Sequence, residues 1–231
     1  MSNKVYMIYF IGIDPGLNGA VAVIHGVNAE KIEIFDTPTY EKMIKHKKKK
    51  KGKYQTKNDY NKKEMSRILS LYKDKDVIIC LESVHAMPGQ GSVSMFGFGR
   101  GSGLWEGIIA AYEYNLMTPT PTEWKKEWEN VLIQKVTKKK KISIEEYNKL
   151  SYADRVKVDQ EEKQRSKEKR EAKEGAKKAA RELASSLYPN LSDQFLLVKS
   201  DGRAESLLMA ERLRRMYNRG DFSCQIKETK I

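Results

Sequence analysis

The sequence predicts an α/β domain in which a mixed five-stranded sheet is flanked by helices. Residues 4–14 and 76–82 are apolar at both odd and even positions, a pattern typical of strands buried on both faces. Between them, residues 64–72 carry apolar side chains at helical spacing, so the two strands are expected to be parallel neighbours. A Pro-Gly turn after the first run predicts an antiparallel return.

The first half of the chain is predicted to contain three antiparallel strands and a basic insertion. Asp14 ends the first strand, and residues 20–25 and 31–35 are the second and third. Residues 42–63 hold eleven lysines and a single acid, Asp59. We therefore expect a basic loop insertion there, because no apolar face can form.

The second half is predicted to be mainly helical. Residues 104–114 have the pattern of a buried helix, and residues 116–121 that of a short fifth strand. The segment at about 135–188 is rich in Lys and Glu and has helical propensity from Ile144 onward, which indicates a charged helical insertion into a single domain spanning 1–231. Residues 200–217 predict an amphipathic helix whose inward-facing residues are Leu207, Leu208 and Leu213.

The composition indicates a polyanionic partner. With 44 Lys and Arg against 31 Asp and Glu the net charge is +13, and nucleic acid is the commonest polyanion in a cell, although ribosome-associated and lipid-surface proteins have similar charge. No apolar run approaches the roughly 18 residues of a membrane helix. A secretory signal pattern is missing, so we expect no membrane partner and a cytoplasmic location. Cys80 and Cys224 predict neither a disulfide framework nor a zinc site.

Four carboxylates are expected to meet at one edge of the sheet. Asp14 and Glu82 end two adjacent parallel strands, and Asp201 and Glu205 lie one turn apart on the last helix. Clustered carboxylates without His or Cys select Mg²⁺ or Mn²⁺, and a pair of such ions serves phosphodiester hydrolysis. Simpler roles stay open: Asp201 as a helix N-cap, Glu205 as an exposed helix residue and Asp14 as a turn residue. Glu82 is harder to explain otherwise, because it closes a strongly apolar run.

Five sequence blocks occur in a characteristic order: IGIDPGLNGA at 11–20, IICLESV at 78–84, FGRGSGLWEG at 98–107, PTEWK at 121–125 and DGRAESLL at 201–208. Together they resemble the RuvC family of Holliday-junction resolvases, in particular its phage-type branch, within the RNase H-like or retroviral-integrase-like superfamily. The resemblance implies an RNase H-like sheet and a homodimer without a nucleotide cofactor. It also implies Mg²⁺-dependent cutting of four-way and other branched DNA in recombination and repair. In this likeness Asp14, Glu82, Asp201 and Glu205 are the catalytic metal ligands, for two Mg²⁺ ions that Mn²⁺ can replace.

Further residues are expected to contact DNA. His85 occupies the position where the family places an aromatic wedge, and Arg100 lies in the glycine-rich block. Trp124, Lys125 and Lys126 mix an aromatic ring with cations as a strand-binding surface does, and Lys125 is expected near the scissile phosphate. Burial of one tryptophan in the core and a solvated Arg100 are the plainer alternatives. Glycines recur every four residues at Gly99, Gly103 and Gly107, on the helix that forms the dimer interface in the family.

Three other functions remain open. A non-catalytic protein that binds branched nucleic acid on the same fold would keep the same surface. An RNA- or flap-directed nuclease would keep the same carboxylates. Residues 12–16 and the antiparallel return also resemble the phosphate loop of an actin-like ATPase, but a second phosphate loop is not found in the sequence.

Overall fold

The central sheet has five strands in the order β3-β2-β1-β6-β7. A computed structural model of the protein describes residues 7–45, 54–85, 91–133 and 143–224. The sheet strands are β1 (Ile8–Ile13), β2 (Ala20–His25), β3 (Lys31–Asp36), β6 (Asp76–Leu81) and β7 (Asn115–Met117), and a separate pair is formed by β4 (Thr39–Lys45) and β5 (Tyr54–Tyr60). The first three strands are antiparallel, and β6 and β7 are parallel to β1 and to each other. The predicted α/β fold with a mixed five-stranded sheet is therefore confirmed.

Seven α-helices are present in the described ranges, joined in places by short 3₁₀ segments. They are α1 (Lys62–Ser70), α2 (Ser92–Ala111), α3 (Pro121–Lys125), α4 (Glu129–Leu132), α5 (Ile144–Lys149), α6 (Tyr152–Leu187) and α7 (Asp201–Arg219). None of the helices in these ranges is long and apolar enough to cross a membrane.

The strand register brings two carboxylates to the same edge of the sheet. Ile13 of β1 lies opposite Leu81 of β6 in the parallel ladder. The next backbone N–H, that of Glu82, donates to the carbonyl of Ile13 at 3.1 Å. Asp14 and Glu82 therefore follow immediately after the ends of adjacent strands, as the two doubly apolar runs predict.

The core has one layer on each face of the sheet. Helix α7 covers the face that carries Phe10 and Ala22, and its Leu207, Leu208 and Leu213 are fully buried, which confirms their predicted inward orientation. Helices α1 and α2 cover the opposite face, where Trp105 is fully buried.

Helix α7 lies directly on the backbone of β1. A Cβ atom at Gly12 would come within 2.0 Å of the carbonyl oxygen of Ser206, so only glycine permits this approach. A Cβ at Gly202 would similarly meet the carbonyl oxygen of Asn18 at 2.6 Å. These two contacts hold the start of α7 against the turn that follows β1, and thus bring Asp201 and Glu205 toward the strand ends.

The basic insertion at 42–63 is only partly the loop that the lysine content predicts. Residues 42–45 and 54–60 belong to an antiparallel hairpin in which Thr39 lies opposite Tyr60. The hairpin is attached to the core because the Tyr60 hydroxyl donates to the Pro15 carbonyl at 3.1 Å and Asp59 forms an ion pair with Arg100. Thr39 and Tyr40 of β4 and Tyr54 and Thr56 of β5 provide β propensity that the charge count conceals. Residues 46–53, which include Lys47 to Lys51, lie outside the described residues.

The helical predictions need two corrections. Helix α2 begins at Ser92, twelve residues before the predicted start, so the whole glycine-rich block at 98–107 lies within it. The predicted insertion at about 135–188 is helical from Ile144 as expected, but α6 does not simply project, because Ala180 and Ala184 near its end are fully buried in the core. Residues 134–142, which include Lys138 to Lys141, lie outside the described part.

Candidate active site

Asp14 is fixed at the end of β1 by the turn that follows it. Its backbone N–H donates to the carbonyl of Ala20 at 3.0 Å, and its Oδ1 accepts from the N–H of Gly16 at 3.1 Å. A Cβ at Gly19 would lie 2.1 Å from the Asp14 carbonyl oxygen, so the close return of the chain requires glycine there. Asp14 therefore has the turn role that the sequence left open, and it also lines the cleft described below.

Glu82 is held by a tryptophan. The Trp124 indole Nε1–H donates to Glu82 Oε1 at 2.8 Å, and Trp124 itself is fully buried. Helix α3 positions the indole through a capping box in which the Thr120 hydroxyl and the Glu123 carboxylate bond to each other's backbone N–H groups. One carboxylate oxygen of Glu82 is thereby oriented by the core.

Glu205 completes a group of three interacting carboxylates. Its Oε1 accepts from Lys125 Nζ at 2.9 Å, and the ammonium group lies 4.9 Å from the centre of the Trp124 ring. Burial, followed by the charge of Glu205, raises the pKa of Asp14 from an ordinary 3.8 to about 6. Burial, followed by the charges of Glu205 and then Asp14, raises the pKa of Glu82 from 4.5 to about 7. These carboxylates repel each other, as like charges sharing a buried site do.

Asp201 is bound by two cations from α6. Lys177 Nζ donates to its Oδ2 at 3.0 Å, and Arg181 donates to its Oδ1. The N-cap interpretation of Asp201 is wrong, because Ser200 occupies the cap position and Asp201 is the first residue of α7. Lys177 and Arg181 are one turn apart, so the same face of α6 supplies both groups.

A metal site is not preassembled in this arrangement. Within residues 7–45, 54–85, 91–133 and 143–224, no group of three or more His, Cys, Asp or Glu side chains is placed to hold a metal ion. Asp14, Glu82 and Glu205 nevertheless offer only oxygen ligands, the type that Mg²⁺ prefers. The pKa values of Asp14 and Glu82 are raised by burial and then by the charge of Glu205, and a bound cation would favour the charged form of both carboxylates. The donor set therefore fits Mg²⁺ chemically, while Lys125, Lys177 and Arg181 provide positive charge here.

A cleft with a volume of about 1350 Å³ includes Asp14 and Asp201 on its wall, whereas Glu82 and Glu205 are not among its lining residues. Its lining includes the hairpin residues Thr39, Lys57 and Asn58 and the 3₁₀ segment before α7. Its volume exceeds the roughly 300–1,000 Å³ of typical small-molecule pockets. The cleft is therefore large enough for a segment of a polymer.

The predicted DNA contacts fall in different environments. His85 is exposed and its Nδ1 lies 3.2 Å from the Ser83 hydroxyl, and Lys126 is exposed on the surface. Arg100 lies within α2 rather than at a helix start, where it pairs with Asp59. The expected DNA contact of Trp124 is corrected. Because its ring is fully buried, it presents no face for a base, and the plainer alternative of a core tryptophan is confirmed.

Sequence reasoning missed the two cations of α6. Lys177 and Arg181 lie in a Lys/Glu-rich segment, where the composition does not distinguish them from many solvated charged neighbours. The sequence does contain one local signal for their position. Ala180 follows Lys177 by three residues and Ala184 follows Arg181 by three, so small and basic residues recur at helical spacing. A small-residue face within a charged helix indicates close packing, and cations beside it are held near the core.

No protein-family model matches this chain, and a search of curated proteins also finds no match.

Proposed function

We propose that this protein is a Mg²⁺-dependent, structure-selective endonuclease that resolves four-way and other branched DNA. The observation that carries the proposal is the convergence of Asp14, Glu82 and Glu205 at the ends of β1 and β6, where burial and then the charge of Glu205 raise the pKa values of Asp14 and Glu82. The RuvC-like sequence blocks and the topology of the sheet support it. A net charge of +13 supports a polyanionic substrate such as nucleic acid.

Each side chain of the site has a role in this proposal. Asp14, Glu82 and Glu205, with Asp201 after release from its cations, would hold Mg²⁺, which when bound supplies Lewis-acid stabilisation of the developing phosphate charge. Trp124 orients Glu82. Lys125, already beside Glu205, would bind a non-bridging phosphate oxygen once an ion neutralises that carboxylate.

The proposed enzyme acts as a homodimer in the cytoplasm, which for a viral protein is that of the host. On α2, a Cβ at Gly99, Gly103 or Gly107 would meet no described atom within 4 Å beyond the helix backbone. This open stripe supports close approach of a second copy, and a two-fold dimer matches the symmetry of a four-way junction.

A second candidate function is binding of branched nucleic acid without cutting. It is favoured by the ion pairs of Asp201 with Lys177 and Arg181, which satisfy this carboxylate without a metal ion. The two functions share a fold and differ only in whether these pairs give way to Mg²⁺.

The deciding experiment measures cleavage of labelled four-way junction, flap and linear duplex DNA at one salt concentration, with Mg²⁺ or with EDTA. Wild type is compared with Asp14→Asn and with Asp221→Asn, an exposed carboxylate outside the site as a matched control. We expect paired symmetric nicks in the junction for wild type and Asp221→Asn, and none for Asp14→Asn or in EDTA. Junction binding without cutting of any substrate would support the second candidate instead.

A further inference from the structure

The cleft next to the carboxylates has apolar walls that are exposed to solvent. Val93 and Phe98 of α2 line it, and so do Leu197 and Val198 before α7. Their exposed fractions are 74%, 43%, 54% and 73% in that order, so these side chains are not part of the core. Four large apolar side chains facing one cleft form a surface that requires an apolar ligand.

Cations stand at the same cleft. Lys57 of the hairpin, Lys199 and Arg203 line it, in addition to Lys177. Lys57 and Lys199 are exposed, and neither forms an ion pair within the described part of the chain, whereas Arg203 pairs with Asp36 at 2.6 Å. Four acids, Asp14, Asp36, Asp193 and Asp201, also line the cleft, and two of them are paired with Arg203 and Lys177. The exposed Lys57 and Lys199 can therefore bind anionic groups of a ligand that also has apolar surface.

We propose that the cleft binds an unpaired DNA strand, with bases against the walls formed by Val93, Phe98, Leu197 and Val198 and phosphates near Lys57 and Lys199. In a duplex the base faces are stacked on each other, and the outer surface offers phosphates but little that an exposed valine or leucine can cover. An unpaired strand presents both base faces and phosphates, and single-strand grooves combine rings with cations in this way. Duplex DNA leaves the apolar walls without a partner.

This inference rests on the proposed nucleic-acid substrate and specifies its form at the site. Because the cleft includes Asp14 and Asp201, the strand that it holds reaches these two carboxylates in unpaired form. A branch point, where pairing is interrupted, supplies such a strand, and a continuous duplex does not. Selection of branched DNA then follows from the cleft itself, before any chemistry takes place.

The test measures binding by fluorescence anisotropy in EDTA, using the full chain, a labelled mixed-sequence single strand and the blunt duplex formed with its complement. Phe98→Ser and Val198→Ser are compared with Val131→Ser, an exposed valine of α4 that does not line the cleft. We expect each cleft variant to weaken single-strand binding about ten-fold, from the loss of base contacts, and to leave duplex binding unchanged. The control is expected to match wild type.

Two further variants keep the inference testable. Phe98→Trp retains an aromatic face and is expected to restore single-strand affinity, which a folding defect would not permit. Lys57→Ala is expected to lower affinity and to reduce the salt dependence of single-strand binding, since it removes one phosphate contact.

The outcomes separate this inference from the nuclease proposal. Equal losses for single strand and duplex, or no loss for either, would overturn the inference. A changed sedimentation coefficient with unchanged single-strand affinity would also overturn it, because the walls would then be an interface between copies. A protein that shows the expected binding pattern and cuts no substrate would retain this inference and lose the nuclease proposal.

Discussion

Glu82→Gln is expected to stabilise the metal-free protein at alkaline pH and to have little effect at acid pH. Glu82 has a pKa raised from 4.5 to about 7, first by burial and then by the charge of Glu205. A group of this kind contributes its full stability below the unfolded pKa and loses it as the pH rises through the folded pKa. The glutamine side chain keeps the carbonyl oxygen that accepts from Trp124 and carries no charge at any pH.

The size of the effect follows from the pKa change. At about 1.4 kcal/mol per pH unit, a rise from 4.5 to about 7 corresponds to about 3 kcal/mol. We therefore expect the free energies of unfolding of wild type and Glu82→Gln to agree near pH 4. The difference is expected to grow between pH 4.5 and 7, and to reach about 3 kcal/mol in favour of the variant at pH 8.

The assay is urea unfolding in EDTA at four pH values, with Glu129→Gln, an exposed carboxylate of α4, as the control. A second series adds Mg²⁺ at pH 8, where wild type is expected to gain stability and Glu82→Gln is not. A constant difference between the two proteins across the pH range would refute the reasoning that Glu82 is a buried, repelled carboxylate. Equal gains from Mg²⁺ would show that the ion binds elsewhere.

Three other substitutions test separate contacts of the site and core. Arg181→Met is expected to strengthen Mg²⁺ binding about ten-fold, because Asp201 loses a competing charge-assisted hydrogen bond. Isothermal titration calorimetry measures the Mg²⁺ affinity, with Lys178→Met, an exposed neighbour on α6, as the control. Weaker Mg²⁺ binding by Arg181→Met would contradict the prediction. Trp124→Phe removes the donor to Glu82 Oε1 and is expected to cost about 2 kcal/mol at pH 8. Urea unfolding measures that loss, and an unchanged midpoint would show that the hydrogen bond contributes nothing. Gly12→Ala is expected to lower the free energy of unfolding by about 3 kcal/mol or more, since its Cβ would meet the Ser206 carbonyl oxygen at 2.0 Å. Thermal unfolding is compared with that of Gly107→Ala, where the added Cβ has open space. The comparison tests whether α7 must lie this close to β1.

The sheet and the strand-end carboxylates could be predicted because each depends on a local pattern. Residues 8–13 and 76–81 are apolar on both faces, which defines a central strand, and a helix between them makes the pair parallel. Because Asp14 and Glu82 directly follow these two parallel strands in the sequence, their position at the same edge of the sheet could also be predicted. The fully buried Leu207, Leu208 and Leu213 of α7 were likewise predictable, because they are large apolar residues of an amphipathic helix.

The partners of the carboxylates could not be predicted, because they depend on tertiary packing. The sequence around Trp124 is compatible both with a ring that stacks on a base and with a ring that hydrogen-bonds to Glu82. Only the fold shows that the ring is buried. Lys177 and Arg181 differ from the solvated lysines around them only by their spacing from Ala180 and Ala184, and only the fold shows that these alanines are buried in the core. The hairpin was missed because charge dominates a composition count, while pairing depends on alternate residues.

The charges of the site explain how it persists without an ion and what an ion must change. Four acids, Asp14, Glu82, Asp201 and Glu205, face three bases, Lys125, Lys177 and Arg181. Because the pKa values of Asp14 and Glu82 are about 6 and 7, a proton shared near neutral pH brings the whole group close to neutrality. A divalent cation that enters must therefore release protons, displace a lysine or arginine, or do both. Release of protons makes the affinity for Mg²⁺ rise with pH between about 6 and 8. Displacement leaves cations beside the cleft that are free to bind phosphate, so that metal binding and strand binding are expected to strengthen each other.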